Sequence, residues 1–117
     1  MRSDNVIAIK SKEFAVRIIR LARYLQEEKR EFVLSKQLLR SGTSIGANVR
    51  EAIRGQSRAD FISKMNIALK ESAETEYWLE LLHETDYLSS KEFETVYADS
   101  KEILRILMSI VKTSRKK

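Results

Sequence analysis

Residues 34–58 read LSKQLLRSGTSIGANVREAIRGQSR. Wound as an α-helix at about 100° per residue, the stretch sorts into two opposed faces. Leu34, Leu38, Ile45, Val49 and Ala52 fall on one side, and Lys36, Arg40, Arg50, Arg54 and Arg58 on the other. The apolar set is suited to burial against neighbouring helices. The basic set is a stripe of positive charge about 30 Å long at 1.5 Å rise per residue. The centre, Ser41 to Ala47, contains Gly42 and Gly46, and glycine inside a helix costs about 1 kcal/mol relative to alanine. One reading breaks the helix there, with Gly42 just past its end and Thr43 or Ser44 capping a new start. The apolar phase holds from Leu34 through Ala52, however, so a continuous helix is expected. Gly42 and Gly46 then lie on one flank of the apolar face and admit another helix backbone, with a kink near Gly46 compatible with the pattern.

Upstream, Ile7, Ser11, Phe14, Ile18, Leu21, Ala22 and Leu25 share a face, which predicts a first helix over about 5–28. The second runs over about 34–54 and ends at Gly55-Gln56. Ser57-Arg-Ala-Asp60 resembles a capping box with Asp in the acidic position and opens a third helix over about 58–84. Phe61, Met65, Ala68, Leu69, Ser72 and Leu79 form its main apolar face, while Ile67, Trp78, Leu81 and Leu82 form a second stripe nearly opposite. Ser89-Ser-Lys-Glu92 is a capping box for a fourth helix over about 90–113, with Phe93, Val96, Tyr97, Leu104, Leu107, Met108 and Val111 as its core face. Four long amphipathic helices with short connections predict an all-α, antiparallel up-down-up-down four-helix bundle.

The 117 residues suit one domain. There is no proline and no cysteine, which excludes disulfides and thiolate metal sites. No apolar run approaches 18 residues, and Met1-Arg2-Ser3-Asp4 lacks a signal-peptide pattern. The expectation is a soluble cytoplasmic protein with no membrane contact. The net charge of +5 conceals a division. Residues 1–58 carry 13 basic and 6 acidic side chains, net +7; residues 59–111 carry 5 and 11, net −6; and Lys112, Arg115, Lys116 and Lys117 make a basic tail. Such asymmetry suits a polyanion at one face, self-association between opposite faces, or both.

The run from Gln37 to Ala52, together with Asp60 to Lys64, Ile67 to Glu71 and Glu74 to Leu79, resembles a known family. It is similar to the four-helix-bundle proteins encoded by intervening sequences of 23S ribosomal RNA genes, often labelled the S23 ribosomal protein family. The resemblance implies a four-helix bundle that assembles as a ring-like homopentamer. It also implies kinship with the accessory variability determinant protein of diversity-generating retroelements, a basic pentamer that binds nucleic acid and works with a reverse transcriptase. Many members carry proline where this chain has Gly46.

The candidate phosphate contacts are Lys36, Arg40, Arg50 and Arg54 at i, i+4, i+14 and i+18, with Arg17 and Arg20 of the first helix extending the patch. Phosphate binding needs cations along a surface and no base-reading motif. Most phenylalanines fall on core faces, so no stacking platform is evident. Ile67, Glu71, Glu74, Trp78 and Leu81 mix aromatic, aliphatic and acidic side chains in the manner of an oligomer interface with a Trp anchor. Glu76 falls on the core face of the third helix and needs a partner, for which Asn48, Tyr97 or an arginine could serve. Asn48 and Ser44, beside the apolar face of the second helix, are suited to fixing packing register. His83, the only histidine, has no cysteine or histidine partner for a zinc site and is read as structural. No metal or cofactor is expected. Glycine-rich phosphate loops, nucleophile elbows, HExxH and an arginine shortly before the histidine are all absent, so no enzymatic activity is expected. The leading reading is an oligomeric, non-catalytic protein that binds RNA or DNA phosphates. The alternative is an adapter whose oligomer surface docks another protein.

Overall fold

The computed structural model describes residues 2–116, with side chains from Asn5 onward. Met1, the side chains of Arg2 to Asp4, and Lys117 at the end of the expected basic tail lie outside the described residues. The protein is all-α, with four helices, α1 (Arg2–Glu27), α2 (Leu34–Arg54), α3 (Arg58–Glu84) and α4 (Ser90–Arg115). The first helix starts earlier than the apolar periodicity implied, and the fourth runs on into the basic tail. The molecule measures 46 × 20 × 18 Å. No described helix is long and apolar enough to cross a membrane.

Helix starts show how the chain sets these limits. Ser89 is a full capping box: its hydroxyl accepts from the Glu92 N–H at 3.1 Å, and the Glu92 carboxylate accepts from the Ser89 N–H at 2.8 Å. At α3 only half the box forms, with Ser57 Oγ accepting from the Asp60 N–H at 3.0 Å. The shorter Asp side chain makes no return bond among those observed. Before α2 the residue in the cap position is Val33, which has no side-chain acceptor. Glu31 supplies it instead. Its carboxylate accepts from the N–H groups of Val33, Leu34 and Ser35 at 3.1, 2.9 and 2.7 Å, and Ser35 Oγ donates to the Glu31 carbonyl. That satisfies donors at a helix start which otherwise lack intrahelical partners.

The core is one cluster. It includes Ile7, Phe14, Ile18 and Leu25 of α1, Leu38, Ile45, Val49 and Ala52 of α2, Met65, Ala68, Leu79 and Leu82 of α3, and Val96, Ile103, Leu107, Ile110 and Val111 of α4. Two expected assignments are corrected here. Leu82, placed on the outer stripe of α3, is fully buried, and Met108, placed on the core face of α4, is 54% exposed. The apolar arc of α4 is wider than its buried part. Ile103 and Ile110 turn inward, and Met108 falls beyond the far edge of the arc they define.

α2 is continuous through both glycines. At Gly42 a Cβ would stand 2.8 Å from Cγ2 of the buried Ile18, whereas at Gly46 it would meet the Ser11 backbone at 3.4 Å. So the Ile18 side chain fills the space beside Gly42, and the α1 backbone itself comes up at Gly46. Between α2 and α3 the buried hydroxyls of Ser41 and Thr75 meet at 2.9 Å. The α1–α4 seam is polar: Tyr24 donates to Glu92, Arg17 pairs with Asp99 at 2.6 Å, and Lys10 pairs with Glu102 at 3.2 Å. Along the α1–α2 and α1–α4 seams residue numbers rise on one helix as they fall on the other.

Candidate nucleic-acid interface

The six cations singled out from the sequence divide sharply. Arg40 reaches from α2 to α3, where one guanidinium nitrogen hydrogen-bonds Glu74 and another lies 3.6 Å from Glu71. The second distance is an ion pair but too long for a hydrogen bond. Arg17 is held in the α1–α4 seam by Asp99 and Thr95. Both side chains are occupied within the chain. Arg20, Lys36, Arg50 and Arg54 are exposed, and none takes part in an ion pair observed among the described residues. Arg58, the last member of the stripe, donates to the Ser114 carbonyl at 2.6 Å.

Arg50 and Arg54 stand at a cleft of about 990 Å³ between α1 and α2, closed at one end by the start of α3. Lys12 faces it from α1 and Lys64 from α3. The acids at its lining are Glu51 and Asp60, and Glu51 is paired with Lys64 at 3.2 Å. Among the described residues, four basic against two acidic side chains leave the lining at net +2. The floor is made of small residues, Ala8, Ala15, Gly46 and Ala47. Helical periodicity points to Arg50 and Arg54 but not to Lys12 or to the cleft itself. The signal was present in the alanines on the non-core flank of the first helix, whose meaning depends on where α2 lies.

The residues read as an oligomer interface are placed differently. Ile67 is 38% exposed, while Trp78 and Leu81 are half-buried. Glu71 and Glu74 are committed to Arg40, and the Trp78 indole N–H donates to Glu74 at 3.2 Å. A larger apolar stripe lies on α1, where Val6, Ile9, Val16 and Ile19 are 38%, 60%, 40% and 41% exposed. It lies opposite the stronger core face of α1, whose periodicity masks it in the sequence.

The remaining polar candidates have local explanations. Glu76 finds Lys101 at 3.5 Å rather than Asn48, Tyr97 or an arginine, and its second carboxylate oxygen is buried without a hydrogen-bond partner. Tyr97 instead donates to Glu80 at 2.6 Å. That bond, burial, and the charges of Glu76 and Glu80 push its hydroxyl pKa well up. Asn48 and Ser44 bond to carbonyls of their own helix, at Ser44 and Arg40; the cross-helix hydroxyl pair is Ser41–Thr75, one turn away. His83 sits 3.1 Å from the Leu88 carbonyl and stacks on Phe93 at 4.2 Å. Among the described residues, no three acidic or imidazole side chains gather as a metal site would require.

The sequence matches the profile of the 23S rRNA-intervening sequence protein family over residues 3–109. A crystal structure of a protein of unknown function from the S23 ribosomal protein family of Bacteroides thetaiotaomicron is similar at 61% identity. The match covers 94% of this chain and 98% of that one with a TM-score of 0.92. No significant match exists among curated proteins. With a family profile spanning nearly the whole chain and a solved relative sharing its helical fold, the chain belongs to the 23S rRNA-intervening sequence protein family.

Proposed function

We propose that this chain is a non-catalytic cytoplasmic protein that binds RNA or DNA through its phosphates, as a homopentamer of antiparallel up-down-up-down bundles. The observation that carries the binding reading is the pairing state of the arginines on α2. Arg40 is neutralised by Glu71 and Glu74, while Arg50 and Arg54 line an open cleft with no ion pair observed among the described residues. Cations left without a partner on a rigid helix cost little to present to phosphate and release counterions when they do so. Arg20 and Lys36 supply further exposed charge, and Arg17 and Arg40 drop out as contacts.

The opposed seam pairings support the antiparallel topology. The exposed apolar stripe of α1 supports self-association, because contiguous apolar surface on a helix face marks contact with another chain. It therefore supplements the Ile67, Glu71, Glu74, Trp78 and Leu81 set, whose acids already have partners. The same stripe also favours the second reading, an adapter that docks a different protein.

Size-exclusion chromatography with light scattering, with and without a structured RNA at low and high salt, tests both. A pentamer that shifts with RNA at low salt and releases it at high salt is expected. A pentamer indifferent to RNA at both salts overturns phosphate binding and leaves the adapter. A monomer overturns the assembly.

A further inference from the structure

We propose that the α1–α2 cleft is a slot for one unpaired nucleic-acid strand, seating a base on its small-residue floor while Lys12, Arg50 and Arg54 hold the adjoining phosphates. This rests on the phosphate-binding reading above and goes beyond it by naming the strand form. A solvated basic face would serve duplex and single strand alike; this site has a shape as well as a charge.

Three observations carry it. The first is size. At about 990 Å³, the cleft stands at the upper end of the roughly 300–1,000 Å³ range that encloses a drug-sized molecule, the class to which a nucleotide belongs. The protein is only 20 × 18 Å across its short dimensions, so the cleft is a notch in one side of a slender rod. A duplex, with its bases stacked inward, meets only the rim of such a notch, whereas a single strand can turn a base into it.

The second is the chemistry of the lining. Ala8, Ala15 and Ala47 offer methyl groups, and at Gly46 the α2 backbone lies against that of Ser11 on α1. A flat ring therefore meets small side chains beside that contact, with Ile53 as the largest apolar side chain of the lining. Thr43, in the same lining, donates its hydroxyl to the Leu39 carbonyl at 2.7 Å, which leaves its oxygen free to accept. Among the described residues no aromatic side chain lines the cleft, so a base rests on methyl groups rather than in a stack. Recognition is then tolerant of sequence and indifferent to the 2′-hydroxyl.

The third is the spread of charge. Arg50 and Arg54 are one turn apart on α2, about 6 Å along the axis, and Lys12 faces them from α1. Cations on two walls and at two levels suit successive phosphates of one strand better than a single small anion, which would draw them to a point.

The test measures fluorescence anisotropy at low salt with labelled oligouridine RNA, the matching DNA strand, and the same RNA annealed to its complement. Three proteins are compared: the unmodified chain, Ala47→Phe, and Arg50→Glu/Arg54→Glu. Ala47 is exposed, so phenylalanine there fills the floor while keeping every charge; circular dichroism and gel filtration confirm fold and assembly. The unmodified protein is expected to bind either single strand about fivefold or more tighter than the duplex, what taking about 40 Å² of ring surface out of water at about 25 cal/mol per Å² supplies. Ala47→Phe is expected to lose that preference and keep its duplex binding. The double reversal is expected to weaken all three ligands. If Ala47→Phe retains the single-strand preference, or no preference exists, the slot is wrong and phosphate binding at the rim stands. If the double reversal binds every ligand as the unmodified protein does, the phosphate reading fails and the slot with it. If Ala47→Phe alters the oligomer instead of strand preference, the cleft is a contact between copies and the slot is overturned.

Discussion

Arg40 and Arg54 project from the same side of α2, within about 40° on a helical wheel, yet their surroundings are opposite. In the first half of the helix α1 and α3 both close in. Gly42 meets Ile18, Ser41 meets Thr75, and Arg40 lies across Glu71 and Glu74. In the second half α1 still comes up to Gly46, but the small side chains of Ala8, Ala15 and Ala47 leave a cleft beside that contact, and Arg50 and Arg54 keep their charge for something outside the chain. One helix thus carries a packing half and a presenting half. A charged stripe on a sequence wheel says nothing of which half a residue belongs to; that depends on the carboxylates brought up by a neighbouring helix.

The largest effect expected from this contrast is at the glycines. In Gly42→Val the new atoms collide with the stiff, fully buried Ile18, and such overpacking should cost about 2 kcal/mol. Gly46→Ala meets only ordinary contact at 3.4 Å and should gain up to about 1 kcal/mol from helix propensity. Urea unfolding of the pair gives both signs. Equal costs at the two positions would mean that the Ile18 side chain gives way at Gly42 as easily as the space at Gly46 admits a methyl group.

Next comes binding. Arg50→Glu/Arg54→Glu should weaken RNA binding and lower the slope of log affinity against log salt by about 1.4 for a single strand, two phosphate contacts at about 0.7 each. Arg40→Gln should leave that slope unchanged. Because the Arg40 side chain is 53% exposed, its loss should cost only about 0.5 kcal/mol of stability. A salt slope that falls as much for Arg40→Gln as for a single Arg50→Gln change would break the division between the halves.

Ser41→Ala sharpens the packing half alone. It removes one member of a buried hydroxyl pair and should cost about 1 kcal/mol in urea unfolding with no change in RNA affinity. The smallest effect lies outside α2. The Ser89 N–H, the Tyr24 hydroxyl and nearby Lys29 hold the Glu92 carboxylate below its ordinary value of 4.5, against a smaller opposing push from burial. The folded pKa is the lower one, so this stabilisation is full above about 4.5 and is lost as pH falls through the folded value. Glu92→Gln should therefore flatten the acid limb of the stability profile, read as midpoint against pH, and leave the neutral region little changed in shape.

Much of the architecture is legible in the residues. The four helices, their approximate ends, the continuity of α2 and the Ser89 box all follow from apolar spacing and cap chemistry, and the run from Gln37 onward points to the family. What is not legible has a common cause. Periodicity gives the direction of an apolar arc but not the part of it that neighbours cover, which is why Leu82 and Met108 change places. It gives the phase of a charge but not its partner, which is why Arg17 and Arg40 leave the candidate interface. Glu76 was visible as a buried acid, but its choice of Lys101 depended on how α4 is rotated against α3. The cleft was not visible at all, because it is a property of the space between two helices rather than of either one.

The carboxylate of Glu31 has a bearing on where a polyanion can go. Three N–H groups at a helix start are the kind of cradle that draws phosphate, and this one lies in the most basic part of the chain. The protein has filled it with a resident anion, 7% exposed. An incoming strand finds that berth taken and is left with the far end of the same helix, about 24 Å away at 1.5 Å per residue from Leu34 to Arg50. A built-in competitor at one end of α2 thereby acts as a signpost to the other.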